Sequence, residues 1–177
     1  MPSGAGYCAL VSALTMSAVW GQSHPIDAPN RVDITPRLVT SGQPSAKALS
    51  SLAAQGFEAV IYLAPPTVSD AVRDEALIVG KQGLLFVNIP IKFDNPTEQD
   101  FEAFTSVLSA LSARKVLVHC QINLRASAMV FLHRVISGKE DPRLAYESVA
   151  KVWSPDSRWK KLMQGLLVKN GVSFEPY

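Results

Sequence analysis

Cys120 and Arg125 stand five positions apart in His119-Cys120-Gln121-Ile122-Asn123-Leu124-Arg125-Ala126-Ser127. The run before them, Lys115-Val116-Leu117-Val118-His119, reads as a buried strand, and the apolar stretch after them reads as a helix. A strand-to-helix junction offers free backbone N–H groups and the positive end of a helix dipole to an anion. Thiols in such a setting ionise between about 3.5 and 7.5, rather than near 8.5. An arginine at the helix start adds a planar fork that holds two oxygens of a tetrahedral anion. The pair therefore supplies a nucleophile and an oxyanion clamp, with the amides of Gln121, Ile122, Asn123 and Leu124 completing the cradle. His119 either orients the loop by hydrogen bonding or is a satisfied strand-end histidine. Ser127 offers a hydroxyl beyond the arginine. Asn123, a residue type that tolerates left-handed backbone, suits a structural role at mid-loop.

The elements that must position this loop follow from hydrophobic periodicity. Strands are predicted at Leu38-Val39-Thr40, at residues 59–63, at residues 84–89 and at residues 115–119. Between them lie a helix from a Ser45 cap to Gln55, stopped by Gly56, and a second over residues 70–82 with Val72, Ala76 and Val79 on its apolar face. A third opens at Asn95-Pro96-Thr97, with Thr97 and Asp100 as a capping pair and Phe101, Phe104, Leu108 and Leu111 inward. The helix after Arg125, running to about Ser137, is apolar nearly all round and should be the central buried one. Two more helices follow, at residues 142–152 and around Trp159, Leu162, Met163, Leu166 and Leu167. This alternation predicts an α/β fold, a mostly parallel central sheet of four or five strands flanked by helices. The ligand site of such a sheet lies beyond the carboxyl ends of its strands, where the Cys120 loop falls. Gln43 and Pro65-Pro66, at neighbouring strand ends, are pocket-lining candidates, although turn formation alone accounts for them.

Composition sets the bounds. The chain has 177 residues, 47% hydrophobic and 18% charged, with a formal net charge of +2 and mean hydropathy of +0.13. That is one globular domain's worth of core-forming chain, with two cysteines, Cys8 and Cys120, too few for a disulfide scaffold. No Lys or Arg run marks a nucleic-acid partner. Residues 1–26 carry no charged side chain, and the apolar run over residues 8–20 is too short to span a bilayer, so no stable membrane anchor is expected. It has the length of a signal-peptide core, with cleavage expected after Gly21. Residues 1–21 are thus expected to be a signal peptide, residues 22–36 an irregular lead-in broken by prolines, and residues 37–177 the functional domain. The location is then periplasmic or secreted, or cytoplasmic if the segment is retained.

The His119-Cys120-x4-Arg125 junction, together with Leu38-Val39-Thr40-Ser41-Gly42-Gln43-Pro44-Ser45 and the strand end Asn88-Ile89-Pro90, resembles the bacterial protein-tyrosine-phosphatase-like family related to the phosphatase-like domain of beta-lactamase hydrolase-like proteins. The resemblance spans residues 33–167. It implies a dual-specificity-phosphatase-like fold in which Cys120 attacks phosphorus and Arg125 binds the phosphoryl oxygens, with no cofactor or metal. The partner would be a phosphorylated protein or a small-molecule phosphate. Asp94, after the third predicted strand, stands where a phosphatase general acid is expected. Asp70 and Asp100 are weaker alternatives, because Asp100 is committed to capping. One feature departs from that family. Cysteine phosphatases place five residues between cysteine and arginine and a hydroxyl directly after; here four intervene and Ser127 comes one place late. Four is the spacing of rhodanese-type sulfurtransferases, whose cysteine carries a persulfide. A noncatalytic anion- or phosphopeptide-binding module would use the same cradle.

Overall fold

In the computed structural model, Met1 and residues 26–177 are described. The expected signal segment, its cleavage point and Cys8 lie outside the described residues. Five short strands, β1 (Val32–Thr35), β2 (Leu38–Ser41), β3 (Ala59–Tyr62), β4 (Leu85–Asn88) and β5 (Val116–His119), form one sheet in the order β1-β2-β5-β3-β4. Only the β1–β2 pairing is antiparallel. The mostly parallel α/β sheet expected from the alternation is present. β3 and β5 are buried along their whole length, as central parallel strands covered on both faces must be.

The helices are α1 (Ala46–Leu49), α2 (Glu75–Gly80), α3 (Glu98–Ala110), α4 (Leu124–Ile136), α5 (Pro142–Ala150) and α6 (Ser157–Lys169). One face of the sheet packs Val39, Val60 and Leu117 with Leu49, Leu52 and Val79 from the α1 and α2 side. The other packs Ile61, Val116 and Val118 with residues of α3, α4, α5 and α6. As its composition predicts, α4 is the central helix: ten of its thirteen residues are buried. Truncating Phe131 to Ala there would cost about 3–5 kcal/mol. At the start of α3 the capping box forms: Asp100 donates its N–H to Thr97 Oγ1 at 3.2 Å, and Thr97 donates its N–H to Asp100 Oδ2 at 2.8 Å. Asp100 is thereby occupied in capping.

Three expectations are corrected. The lead-in expected to be irregular through residue 36 contains β1, a half-exposed edge strand whose alternation of Val32 and Ile34 with Asp33 and Thr35 is short and bounded by prolines. The helix expected over residues 45–55 splits into α1 and a 3-10 turn at Ala53–Gln55, because the Ser50 and Ser51 hydroxyls donate back to Lys47 O and Ala48 O. The helix expected over residues 70–82 shrinks to α2. Asp74, at φ 62°, breaks the helical path just before it, and Glu75 rather than Ala76 takes the buried position beside Val79.

Candidate active site

Because β5 lies between β2 and β3, its carboxyl end opens into the crevice where chain direction around the sheet reverses. Cys120 follows β5 directly and is fully buried, in the apolar cluster beneath α4. Asn123 makes the turn from strand to helix in the left-handed region, at φ 73°. Its side-chain amide donates to Asn30 O at 2.6 Å and to Thr40 Oγ1 at 3.1 Å, while Asn30 Nδ2 donates to Ile122 O at 2.9 Å. Gln43 N–H donates to Gln121 O at 2.9 Å, and Gly42 bridges to Ile122. The Cys120 loop is thus bolted to the segment before β1 and to the turn after β2. Among the described residues, the N–H groups of Gln121, Ile122, Leu124 and Arg125 donate to no acceptor. Those of Leu124 and Arg125 are the unpaired amides of a helix start, and those of Gln121 and Ile122 belong to the loop before its Asn123 cap.

Arg125 is only 4% exposed. Its Nε donates to Ile91 O at 3.0 Å, its guanidinium lies 5.2 Å from the Phe93 ring centroid, and both terminal nitrogens meet Gln121 Oε1 at 3.4 Å. Among the described residues no carboxylate pairs with it. A buried cation with only neutral acceptors calls for an anion.

The two acidic candidates lie on different loops, and only one of them touches the Cys120 loop through a hydrogen bond among the described residues. Asp70, between β3 and α2, accepts from Gln121 Nε2 at 2.8 Å and so reaches the Cys120 loop through a side chain. Asp94, between β4 and α3, lines a cavity of about 510 Å³ against Arg158, Lys161 and Leu162 of α6. No hydrogen bond joins Asp94 to the Cys120 loop among the described residues, but its neighbours Ile91 and Phe93 are the groups that hold Arg125. Phe93 O also accepts from Trp159 Nε1 at 3.0 Å, which ties this loop to α6.

His119 and Ser127 face inward. Ser127 Oγ donates to Leu124 O at 3.1 Å and accepts from Trp153 Nε1 at 3.2 Å, so it braces the first turn of α4. His119 Nε2 lies 2.7 Å from Glu75 Oε1, out of line with the ring N–H, and its ring stacks on Tyr62 with centroids 4.8 Å apart. Burial, with Glu75 and Asp70 nearby, pushes the Tyr62 hydroxyl up to about 12. Ile122 is half exposed at the loop's outer edge. Sequence reasoning did not single out Tyr62, Glu75 or Asn30. Glu75 had a readable signal: with Val72 and Val79 it falls at helical spacing, a carboxylate on an apolar face.

The family model described as DSP-PTPase phosphatase fused to NAD+ kinase matches residues 16–164. The chain belongs to that phosphatase family. Among curated relatives, the beta-lactamase hydrolase-like protein of Xylella fastidiosa is 32% identical over 112 residues, covering 61% of this chain and 26% of that protein. This phosphatase-family chain therefore spans about a quarter of the length of the curated relatives it matches. A DUF442-family structure from Shewanella putrefaciens superposes with a TM-score of 0.75 at 29% identity, covering 81% of this chain and 95% of that one. The structure of P. aeruginosa TpbA shares the fold, with a TM-score of 0.63 at 18% identity over 89% of this chain and 99% of that one.

Proposed function

We propose that the chain hydrolyses phosphate monoesters, of a phosphorylated protein or a small molecule, through a phosphocysteine on Cys120. The observation that carries this reading is the buried Arg125 guanidinium, unpaired with any carboxylate among the described residues and standing at the same helix start as the free amides after Cys120. Such an arrangement stabilises charge on the equatorial oxygens of a transferring phosphoryl group.

In the first step the Cys120 thiolate forms an S–P bond as the P–O bond to the leaving group breaks, and Asp94 gives its proton to the leaving oxygen. In the second, water attacks phosphorus, its proton passes to the Asp94 carboxylate, the S–P bond breaks and inorganic phosphate departs. Support for Asp94 is its place on the loop whose Ile91 and Phe93 hold Arg125. Cys120→Ser should abolish hydrolysis of an aryl phosphate, and acid-quenched wild type should carry a phosphoryl adduct on Cys120. Unchanged turnover in Cys120→Ser would end the mechanism.

The four-residue gap between Cys120 and Arg125 is the one feature that favours sulfur transfer. Incubation with thiosulfate tests it: loading of one sulfur on Cys120, with no aryl-phosphate turnover, replaces the phosphatase reading. Binding of phosphate with neither activity would leave a noncatalytic anion-binding module.

A further inference from the structure

Trp159 is fully buried in α6, and its indole N–H is aimed at the loop that carries Asp94. An indole N–H is a donor only, and a buried one needs an acceptor. Here the acceptor is Phe93 O at 3.0 Å, the carbonyl of the peptide unit that leads into Asp94. The same loop is held at Ile91 O by Arg125 Nε, and at the Phe93 ring by the Arg125 guanidinium. That ring lies 5.9 Å, centroid to centroid, from both Trp153 and Trp159, and the two tryptophans meet edge to face at 6.1 Å. Asp94 itself makes no hydrogen bond among the described residues, so its neighbours in the chain set its place.

We infer that Trp159 is a positioning residue for proton transfer, its N–H holding the Phe93–Asp94 peptide so that the Asp94 carboxyl stays within reach of the leaving oxygen. This rests on reading Asp94 as the general acid, and it adds a residue that the two-step mechanism does not use. The physical reason is geometric. A peptide unit is planar, so fixing the Phe93 carbonyl oxygen fixes the plane in which the Asp94 nitrogen and Cα lie. General acid catalysis works over about 2.6–3.2 Å, and a misplacement of about 1 Å costs about 10²-fold in rate. Asp94 is exposed, on a cavity shared with Arg158 and Lys161, and a carboxyl in that setting has no fixed partner to hold it to such a tolerance. The fully buried Trp159 supplies the fixed point one residue before it. A packing role and a positioning role differ in their kinetics. Loss of packing lowers all rates together with stability, whereas loss of the anchor slows the esters whose leaving oxygen needs the proton.

The test compares Trp159→Phe with wild type on an alkyl phosphate and on a nitrophenyl phosphate, well below the melting temperature of either protein. Trp159→Phe keeps a buried ring and removes the N–H. Its kcat/KM should fall about tenfold on the alkyl ester and stay within about twofold on the nitrophenyl ester, whose leaving oxygen does not need the proton. The inhibition constant of inorganic phosphate should also stay within about twofold, because the amides and Arg125 are untouched. Adding Trp159→Phe to Asp94→Asn should cost nothing further on the alkyl ester, since the group being positioned is already gone. Where Trp159→Phe does not fold, site-specific incorporation of 3-benzothienylalanine at position 159 decides the matter, since it has the shape of the indole with sulfur in place of the N–H. Equal losses on the two esters, no loss on either, or an additive loss in the double variant overturns the inference while leaving Asp94 as the acid. Asp94→Asn with no leaving-group dependence removes the reading of Asp94, and this inference with it.

Discussion

A Cβ placed on Gly42 would lie 2.8 Å from the carbonyl oxygen of Gln121 and 2.9 Å from Cβ of Pro29. The turn after β2 therefore touches the Cys120 loop main chain to main chain, with no room for a methyl group. Both obstacles belong to or adjoin the backbone, so neither yields as a flexible side-chain tip would. Gly42→Ala should cost about 1–3 kcal/mol of stability and lower kcat/KM on an aryl phosphate by about tenfold or more, through displacement of the amides that follow Cys120. Thermal unfolding and steady-state kinetics on the purified variant measure both effects. Wild-type kinetics would show that the loop tolerates displacement.

Arg125 should be a case where function is held at a cost in stability. Its charge is buried with only neutral acceptors, so Arg125→Met is expected to be at least as stable as wild type in the absence of ligand. Inorganic phosphate or vanadate should raise the melting temperature of wild type in proportion to binding, and leave that of Arg125→Met unmoved. Equal anion-induced shifts in the two proteins would take the guanidinium out of the site.

The two acidic loops separate by leaving group. If Asp94 donates the proton, Asp94→Asn loses about 10²–10⁴ in rate on an alkyl phosphate, whose leaving oxygen needs that proton, and much less on a nitrophenyl ester, whose oxygen does not. Asp70→Asn keeps an amide oxygen that can accept from Gln121 and should change kcat/KM on both esters little, whereas Asp70→Ala removes that acceptor and should lower both by a similar, modest factor. A leaving-group-dependent loss in Asp70→Asn, with none in Asp94→Asn, would transfer the acid role to Asp70.

Tyr62 links stability to alkaline pH. Buried against His119 and near Glu75, its hydroxyl is pushed up to about 12, above the ordinary value of 10 for an unfolded chain. A group whose value is raised by folding keeps its contribution in full below pH 10. As pH rises from 10 through 12, the unfolded chain ionises first and that contribution, on the order of a few kcal/mol at most, is lost. Melting temperature followed from pH 9 to 12 should therefore fall more steeply for wild type than for Tyr62→Phe. Parallel curves would show that Tyr62 ionises as freely in the fold as outside it.

Long apolar periodicities survived the passage from sequence to structure, and marginal ones did not. α4 is apolar all round, and only a central buried position accommodates that pattern, so its place was legible. The capping pair Thr97 and Asp100 was legible because it is a local contact three residues apart. β1 was missed because its alternation runs over only four edge residues between prolines, and it is held by pairing with β2. α1 and α2 came out shorter than their apolar spacing suggests because serine hydroxyls and a left-handed Asp74 compete with helix propagation, and spacing does not register that competition.

The sequence by itself determined the chemistry on offer: a cysteine at the end of a buried strand, an arginine at the start of a buried helix, and amides between them that the helix start leaves unpaired. Those are local consequences of strand, turn and helix, and need no distant partner. Only the tertiary structure decided what surrounds that chemistry. It is the sheet order that puts β5 between β2 and β3, and so brings Gly42 against Gln121, Tyr62 against His119 and Asn30 against Asn123. It is packing that buries Glu75 beside His119, ties Asp70 rather than Asp94 to the loop, and leaves Arg125 without a carboxylate among the described residues. Contacts between residues tens of positions apart depend on register and burial, and composition and spacing carry neither.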